Sequence, residues 1–114
     1  MRALICGVFF TFLITGCKDK GPDHPDEIGA YSYCTFAIKE RLKSPSTADF
    51  AGYRNSNVVP GKAVNTGNGN LKQTFMVASY VDSQNSFGAT IRTTFVCQME
   101  GKTGGHWSVK NIVM

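Results

Sequence analysis

The 114-residue sequence has few of the side chains on which most enzymes depend. It contains two histidines, and charged residues make up 18% of the chain. Neither His24 nor His106 lies at a metal-ligand spacing from cysteines or carboxylates, and the sequence has no paired carboxylates or nucleophile motif. Asp82, Ser83 and His106 are the residue types of a catalytic triad, but no pattern predicts that they approach one another. We therefore expect neither an enzyme nor a metal site.

A strongly basic composition is also missing. The formal net charge is +4, and the lysines and arginines are scattered singly, so no nucleic-acid partner is expected. The glycine-rich residues 65–70 have neither the Lys-Ser or Lys-Thr pair nor the strand-to-helix context of a phosphate-binding loop. No feature indicates a small-molecule substrate. A chain of this length has room for one domain rather than two.

The longest apolar run, residues 3–14, is shorter than the roughly 20 residues of a membrane-spanning helix. It follows Arg2, and small residues and a cysteine come after it, in the order Leu-Ile-Thr-Gly-Cys at positions 13–17. This is the composition of a secretory signal peptide. Residues 13–17 resemble the lipobox of bacterial lipoproteins. A plain secretory signal that is cleaved at another bond is the alternative.

The lipoprotein resemblance implies where the protein is located. Residues 1–16 would be the signal peptide, and Cys17 would become the first residue, carrying a diacylglycerol and an N-acyl chain. We expect no other cofactor. Two or three acyl chains hold a protein stably on a membrane. Because Lys18 rather than Asp follows the cysteine, the resemblance favours the outer membrane, with the protein facing the periplasm.

Residues 17–27 are expected to be the lipidated cysteine and a flexible tether. Apart from two prolines, residues 18–27 contain no apolar side chain and so have nothing to bury. His24 is then a solvated linker residue. Residues 28–114 would form a single domain.

Residues 28–43 have helical spacing of apolar residues. Asp26 is a candidate N-cap, and the helix should end at Ser44, because the residue before Pro45 is pushed out of the helical region. The apolar positions recur at three- and four-residue steps on one face: Ile28, Tyr31, Cys34 or Thr35, Ile38 and Leu42.

Residues 71–81, 89–99 and 106–113 alternate as strands do. On the first strand one face carries Phe75, Val77, Ser79 and Val81, and the other carries Met76, Ala78 and Tyr80. On the second strand the apolar face, which is expected to meet the helix, carries Ala89, Ile91, Thr93, Phe95, Cys97 and Met99. On the third, Trp107, Val109 and Val113 share a side, with Trp107 at the core edge. Residues 44–70 read as mostly loop, with short strands at 51–54 and 57–59. The predicted fold is α+β, with one N-terminal helix packed on a three- to four-stranded antiparallel sheet.

Two cysteines remain after Cys6 in the signal peptide and Cys17. Cys34 and Cys97 are both expected on the apolar faces that meet between helix and sheet. In an oxidising compartment this placement favours a helix-to-strand disulfide. Two buried free thiols are the alternative.

Residues 43–50 and 79–89, with Arg92 and Cys97, resemble an uncharacterised small domain of bacterial envelope and phage-related proteins. The resemblance spans residues 31–99. It implies the same fold and the same cysteine pair, and it implies no activity.

The most distinctive candidate binding feature is the loop at residues 82–88. Its candidate contact residues are Asp82, Ser83, Gln84, Asn85, Ser86 and Phe87, with Arg92 on the following strand. One interpretation is a self-bonded hairpin in which Phe87 folds back on the core. The other is a recognition loop with Phe87 as its anchor. Arg92 is either a solvated strand residue or a binding contact.

These observations favour a non-enzymatic, membrane-anchored module that binds another envelope protein. The alternative is an inhibitor or exclusion factor, which would block phage superinfection, plasmid entry or a lysozyme-type enzyme by placing its loop in a cleft or pore.

Overall fold

One helix and five antiparallel strands form the part of the chain that the structure, a computed structural model, describes: residues 23–114. The predicted signal peptide, Cys17 and residues 18–22 lie outside the described residues. The helix and strands, in chain order, are α1 (Glu27–Lys39), β1 (Asp49–Phe50), β2 (Asn57–Gly67), β3 (Asn70–Gln84), β4 (Thr90–Lys102) and β5 (His106–Val113). Short 3-10 turns at Pro45–Thr47 and Tyr53–Asn55 connect the first elements.

Helix α1 begins where the sequence predicts and ends earlier. The Asp26 carboxylate accepts a hydrogen bond of 2.8 Å from the Gly29 amide, which confirms Asp26 as the N-cap. The helix ends at Lys39 rather than near residue 43. The Leu42 amide donates to the Lys39 carbonyl in a tight turn, and Leu42 packs against the core. The helix therefore ends before Pro45 can affect it.

The buried face of α1 matches the predicted face except in the first turn, where Ala30 rather than Ile28 is buried. Ala30, Cys34 and Ile38 are fully buried, at four-residue steps, and Tyr31 packs beside them. The prediction that Ile28 faces the core is wrong, since its side chain is 60% exposed. It lies in the first turn of the helix.

The sheet has more strands than predicted. Strands β1 and β2 both pair with the same edge of β3, and β4 and β5 follow on its other side. The prediction of loop over most of residues 44–70 is wrong because β2 continues through Pro60. A proline is tolerated on an edge strand, where its missing amide is not required, and β2 has a register shift between Pro60 and Ala63.

A two-residue turn joins β2 to β3. Asn68 and Gly69 have φ angles of 55° and 80°, and left-handed conformations at both positions are typical of a type I′ hairpin turn. The glycine-rich residues 65–70, which the sequence assigns to a loop, therefore form a tight hairpin.

The core lies between α1 and one face of the sheet. Its buried hydrophobic residues are Ala30, Cys34, Ile38, Phe75, Val77, Val81, Phe95, Cys97 and Met99. Cys34 and Cys97 are joined by a disulfide and are 0% exposed. The α+β class and the helix-to-strand disulfide are therefore confirmed, with five strands in place of three or four.

Strand β5 contains a bulge that changes which of its residues face the core. Val109 and Asn111 pair with consecutive residues of β4, so Lys110 is the extra residue. The bulge reverses the alternation that follows it. Ile112 packs against the core, and Val113 is 60% exposed. The prediction that Val113 shares a side with Trp107 is therefore wrong.

Trp107 lies at the edge of the core, as predicted. Its ring stacks on Tyr33 at a centroid distance of 5.9 Å and is tilted against Phe75 at 5.5 Å. It also covers Gly101 so closely that a Cβ at that position would lie 2.7 Å from the indole. Trp107 closes the core at the end of the sheet where β4 turns into β5.

Residues 23–26, which the sequence assigns to the tether, contact this same end of the sheet. The Gly104 amide donates to the Asp23 carbonyl over 2.9 Å, and His24 Nδ1 lies 2.9 Å from Thr103 Oγ1. The chain therefore enters the domain beside the β4–β5 turn. Among residues 23–114, no helix is long and apolar enough to cross a membrane.

Candidate partner-binding surfaces

The predicted loop is divided between a strand and a tight turn. Asp82, Ser83 and Gln84 are the last residues of β3, paired with Arg92, Ile91 and Thr90 of β4. Ser83 is only 5% exposed, so the prediction of a surface contact there is wrong. The β3–β4 connection is limited to residues 85–89, which we call the Phe87 turn.

Asn85 fixes the backbone of the Phe87 turn. Its amide donates to the Ala89 carbonyl over 2.9 Å, and its carbonyl accepts from the Gly88 amide at 3.0 Å. Its side-chain oxygen accepts from the Phe87 and Ala89 amides at 2.9 and 3.0 Å. Gly88 has a φ of 83°, which favours glycine. The predicted side-chain-to-backbone turn bonds are confirmed at Asn85.

Phe87 projects into solvent from this turn, beside the exposed Ser86. Its side chain is 92% exposed, the highest value among the exposed large hydrophobic residues. The expectation that Phe87 folds back on the core is therefore wrong. Ile91, on the adjacent strand, is itself 46% exposed, so the hydrophobic core ends before this turn.

An ion pair on the uncovered sheet face braces the strands that lead to the turn. Arg92 donates through Nε to Asp82 Oδ1 over 2.8 Å and through its terminal nitrogen to Asp82 Oδ2 over 3.0 Å. The guanidinium carbon also lies 3.8 Å from the centre of the Tyr80 ring. The hydrogen bond from Arg92 lowers the pKa of Asp82, and the same bond raises the pKa of Arg92. Arg92 is thus held by neighbours within its own sheet.

The three triad residue types do not come together. His106 pairs with Lys102, whereas Asp82 and Ser83 lie opposite Arg92 and Ile91. At about 3.3 Å per residue, the two ends of β4 are tens of ångströms apart. Within residues 23–114, the structure contains no group of three or more His, Cys, Asp or Glu side chains that could hold a metal ion.

The sheet face opposite α1, which we call the open face, is a second candidate surface. Two open grooves of about 440 and 410 Å³ lie along it. Exposed or half-buried apolar side chains from four strands form its centre: Val59, Met76, Ala78, Val96 and Val113. The sequence signal was present, because Met76, Ala78 and Tyr80 form an apolar set on the second face of β3. This set was not predicted to form a surface.

One end of the open face carries a basic cluster. Lys72 and Lys102 are direct cross-strand partners. Glu100 lies between lysines, 3.8 Å from Lys72 and 3.2 Å from Lys110. We call these four residues the basic end. They lie at the end of the sheet where Trp107 and residues 23–26 are packed.

No protein-family model, curated protein or solved structure matches this chain. A function for the protein therefore has to follow from its own residues. The Phe87 turn and the open face are two surfaces that the described residues offer to a partner.

Proposed function

We propose that this protein is a non-enzymatic, lipid-anchored envelope lipoprotein that binds another envelope protein through the Phe87 turn. One observation carries the proposal: a phenyl ring that is 92% exposed stands on a turn whose backbone is fixed by Asn85. In this interpretation the partner buries Phe87 in a pocket and contacts the amides around it.

The rigidity of the turn supports this role. Complete burial of a phenylalanine side chain contributes about 1.5–3 kcal/mol, and aromatic anchors dominate many protein interfaces. Binding by a flexible loop loses part of this gain, because the loop must be ordered on association. The hydrogen bonds of Asn85 and the Asp82–Arg92 ion pair order the Phe87 turn and its flanking strands in advance.

The membrane anchor rests on the resemblance of residues 13–17 to a lipobox. Removal of residues 1–16 and acylation of Cys17 would place the domain on the outer membrane, facing the periplasm. The Cys34–Cys97 disulfide supports an extracytoplasmic location, since disulfides persist in oxidising compartments.

An inhibitor or exclusion factor is the second candidate, and the same projecting turn favours it. A fixed aromatic turn has a shape that can enter an enzyme cleft or a pore. The resemblance of residues 31–99 to a domain of envelope and phage-related proteins adds support. Inhibition of lysozyme by the protein without its leader, or resistance to phage or plasmid entry that depends on Phe87, would identify this function.

Site-specific photo-crosslinking in the native envelope tests the proposal. A photoreactive phenylalanine analogue at position 87 should capture a partner that mass spectrometry identifies. The matched control carries the same analogue at Phe36, which is 63% exposed on α1. Identical adducts from both positions, or no adduct above background from position 87, would contradict the proposed binding surface.

Two substitutions separate binding from anchoring. Phe87→Ala should abolish co-purification of the partner that the crosslink identifies, and it should change the free energy of unfolding by less than about 0.5 kcal/mol, as expected for an exposed site. Cys17→Ser should remove acyl labelling and release the protein from the membrane fraction. Persistent labelling of that variant would disprove the proposed anchor site.

A further inference from the structure

We propose that the basic end of the domain rests on anionic phospholipid headgroups, which holds the Phe87 turn away from the membrane. This inference rests on the lipid anchor of the proposed function and adds an orientation to it. The occupant of the basic end is a phospholipid surface, and the groups that would recognise it are the ammonium groups of Lys72, Lys102 and Lys110.

The position at which the chain enters the domain is the first argument. Asp23 and His24 are hydrogen-bonded to Gly104 and Thr103 in the β4–β5 turn. Six residue steps separate Cys17 from Asp23, and a fully extended chain covers at most about 3.6 Å per residue. An acylated Cys17 would therefore keep Asp23 within about 22 Å of the membrane surface, and with it the β4–β5 turn to which Asp23 is hydrogen-bonded.

The length of the sheet is the second argument. Strand β4 has 13 residues, which at about 3.3 Å per residue span roughly 40 Å. The β4–β5 turn lies at one end of this strand, and the Phe87 turn lies at the other. The tether therefore confines the first turn to the membrane and leaves the second free to reach a partner.

The charge distribution favours one of two orientations on the membrane. In the upright orientation only the basic end contacts the lipid, and in the flat orientation the whole open face does. Lys72 and Lys102 face each other across two strands, an arrangement that repulsion disfavours. With Lys110 and the single carboxylate of Glu100, the basic end has an excess of positive charge. At the other end of the open face, Arg92 is neutralised by Asp82. Anionic lipid attracts basic residues within about a Debye length of its surface, so it should draw in the lysines of the basic end more strongly than the neutralised Arg92.

Energy transfer from tryptophan to the membrane tests this orientation. Trp107 is the only tryptophan in the chain, and it pairs with Gly101 near the basic end. The lipidated full-length protein is bound to vesicles that carry dansyl-labelled headgroups, either phosphatidylcholine alone or phosphatidylcholine with phosphatidylglycerol. We expect strong transfer from Trp107, with a further increase on the anionic vesicles.

A matched variant moves the donor to the other end of the sheet. Trp107→Phe combined with Phe87→Trp should show several-fold weaker transfer in both lipid mixtures. Transfer as strong as that from Trp107 would mean that the domain lies flat, and it would overturn the orientation. Lys72→Gln with Lys102→Gln should remove the increase on anionic lipid, and a retained increase would overturn the role of the basic end.

Hydrogen exchange keeps the test decisive if the tryptophan variant does not fold. On anionic vesicles the wild-type amides of residues 103–105 should exchange more slowly, and those of residues 85–89 should be unchanged. Equal protection of both turns would overturn the orientation. A protein that carries no acyl chain and does not associate with vesicles would instead overturn the anchor of the proposed function, so the two failures are distinguishable.

Discussion

Reduction of the Cys34–Cys97 disulfide should remove a large part of the stability of the domain. The bond joins α1 to β4 and closes a loop with a sequence separation of 63. Reduction leaves both side chains in place, so it removes the covalent constraint without creating a cavity. The perturbation therefore isolates the effect of the link from the effect of packing.

The expected magnitude follows from the loop length. The chain-entropy model gives about 4 kcal/mol at 25 °C for a loop of this size. Small domains have a free energy of unfolding of about 5–15 kcal/mol, so the link supplies a major share of it. For a domain of this size, the same loss corresponds to a fall in Tm of roughly 15–30 °C.

Urea denaturation of the protein without its leader, oxidised and fully reduced, measures this difference. Val81→Ala is the matched control, because Val81 is fully buried and pairs with Thr93, four positions along β4 from Cys97. It should cost the same free energy in both redox states, as expected for a site that does not contact the disulfide. Oxidised and reduced wild-type protein with equal midpoints and equal m values would refute the loop-entropy reasoning. Cys34→Ser should have a lower free energy of unfolding than the wild type only under oxidising conditions. If the difference is equally large in reductant, Cys34 stabilises the domain by packing rather than through the disulfide.

Three further predictions concern a cap, an ion pair and a glycine. Asp26→Ala should lower the free energy of unfolding by about 1 kcal/mol in urea titrations, because the first turn of α1 loses its cap. Arg92 lowers the pKa of Asp82 in the folded state. The ion pair therefore stabilises the fold fully at a pH above the pKa of Asp82 in the unfolded chain, which is near 4. This stabilisation is lost as the pH falls through the lower pKa that Asp82 has in the folded state. Arg92→Gln should raise the pKa of Asp82 in carbon-13 NMR titrations, and an unchanged titration would contradict this account. Gly101→Ala should cost about 1–3 kcal/mol by denaturant titration, because its Cβ would meet the Trp107 ring at 2.7 Å; an unchanged midpoint would show that Trp107 moves freely.

The strands that could be predicted are those with clear alternation. Strand β3 extends past both of its predicted ends, β4 begins one residue late and extends three residues past its predicted end, and β5 has the predicted bounds. Strand β2 was predicted only over residues 57–59, because Pro60 and several glycines resemble loop residues. Its signal was the Asn68-Gly69 pair, which marks a two-residue hairpin turn and therefore a strand on each side.

In the Phe87 turn, local sequence predicts the backbone hydrogen bonds but not the exposure of the Phe87 side chain. The hydrogen bonds of Asn85 are local, so the sequence could indicate a self-bonded turn. The exposure of Phe87 depends instead on how far α1 and the core extend along the sheet, which no local pattern specifies. Ser83 differs from its prediction in the opposite direction. It was expected at the surface of a loop, and it lies at a buried position of β3.

The sequence by itself determined the helix start at Asp26, the alternating strands and the placement of Cys34 and Cys97 on faces that meet. Each of these follows from the periodicity or hydrogen-bonding capacity of a short segment. Only the tertiary structure decided that Phe87 stays in solvent and that residues 23–26 pack beside the β4–β5 turn. Both depend on contacts between segments distant in the chain, and a side chain is buried only where another element lies over it.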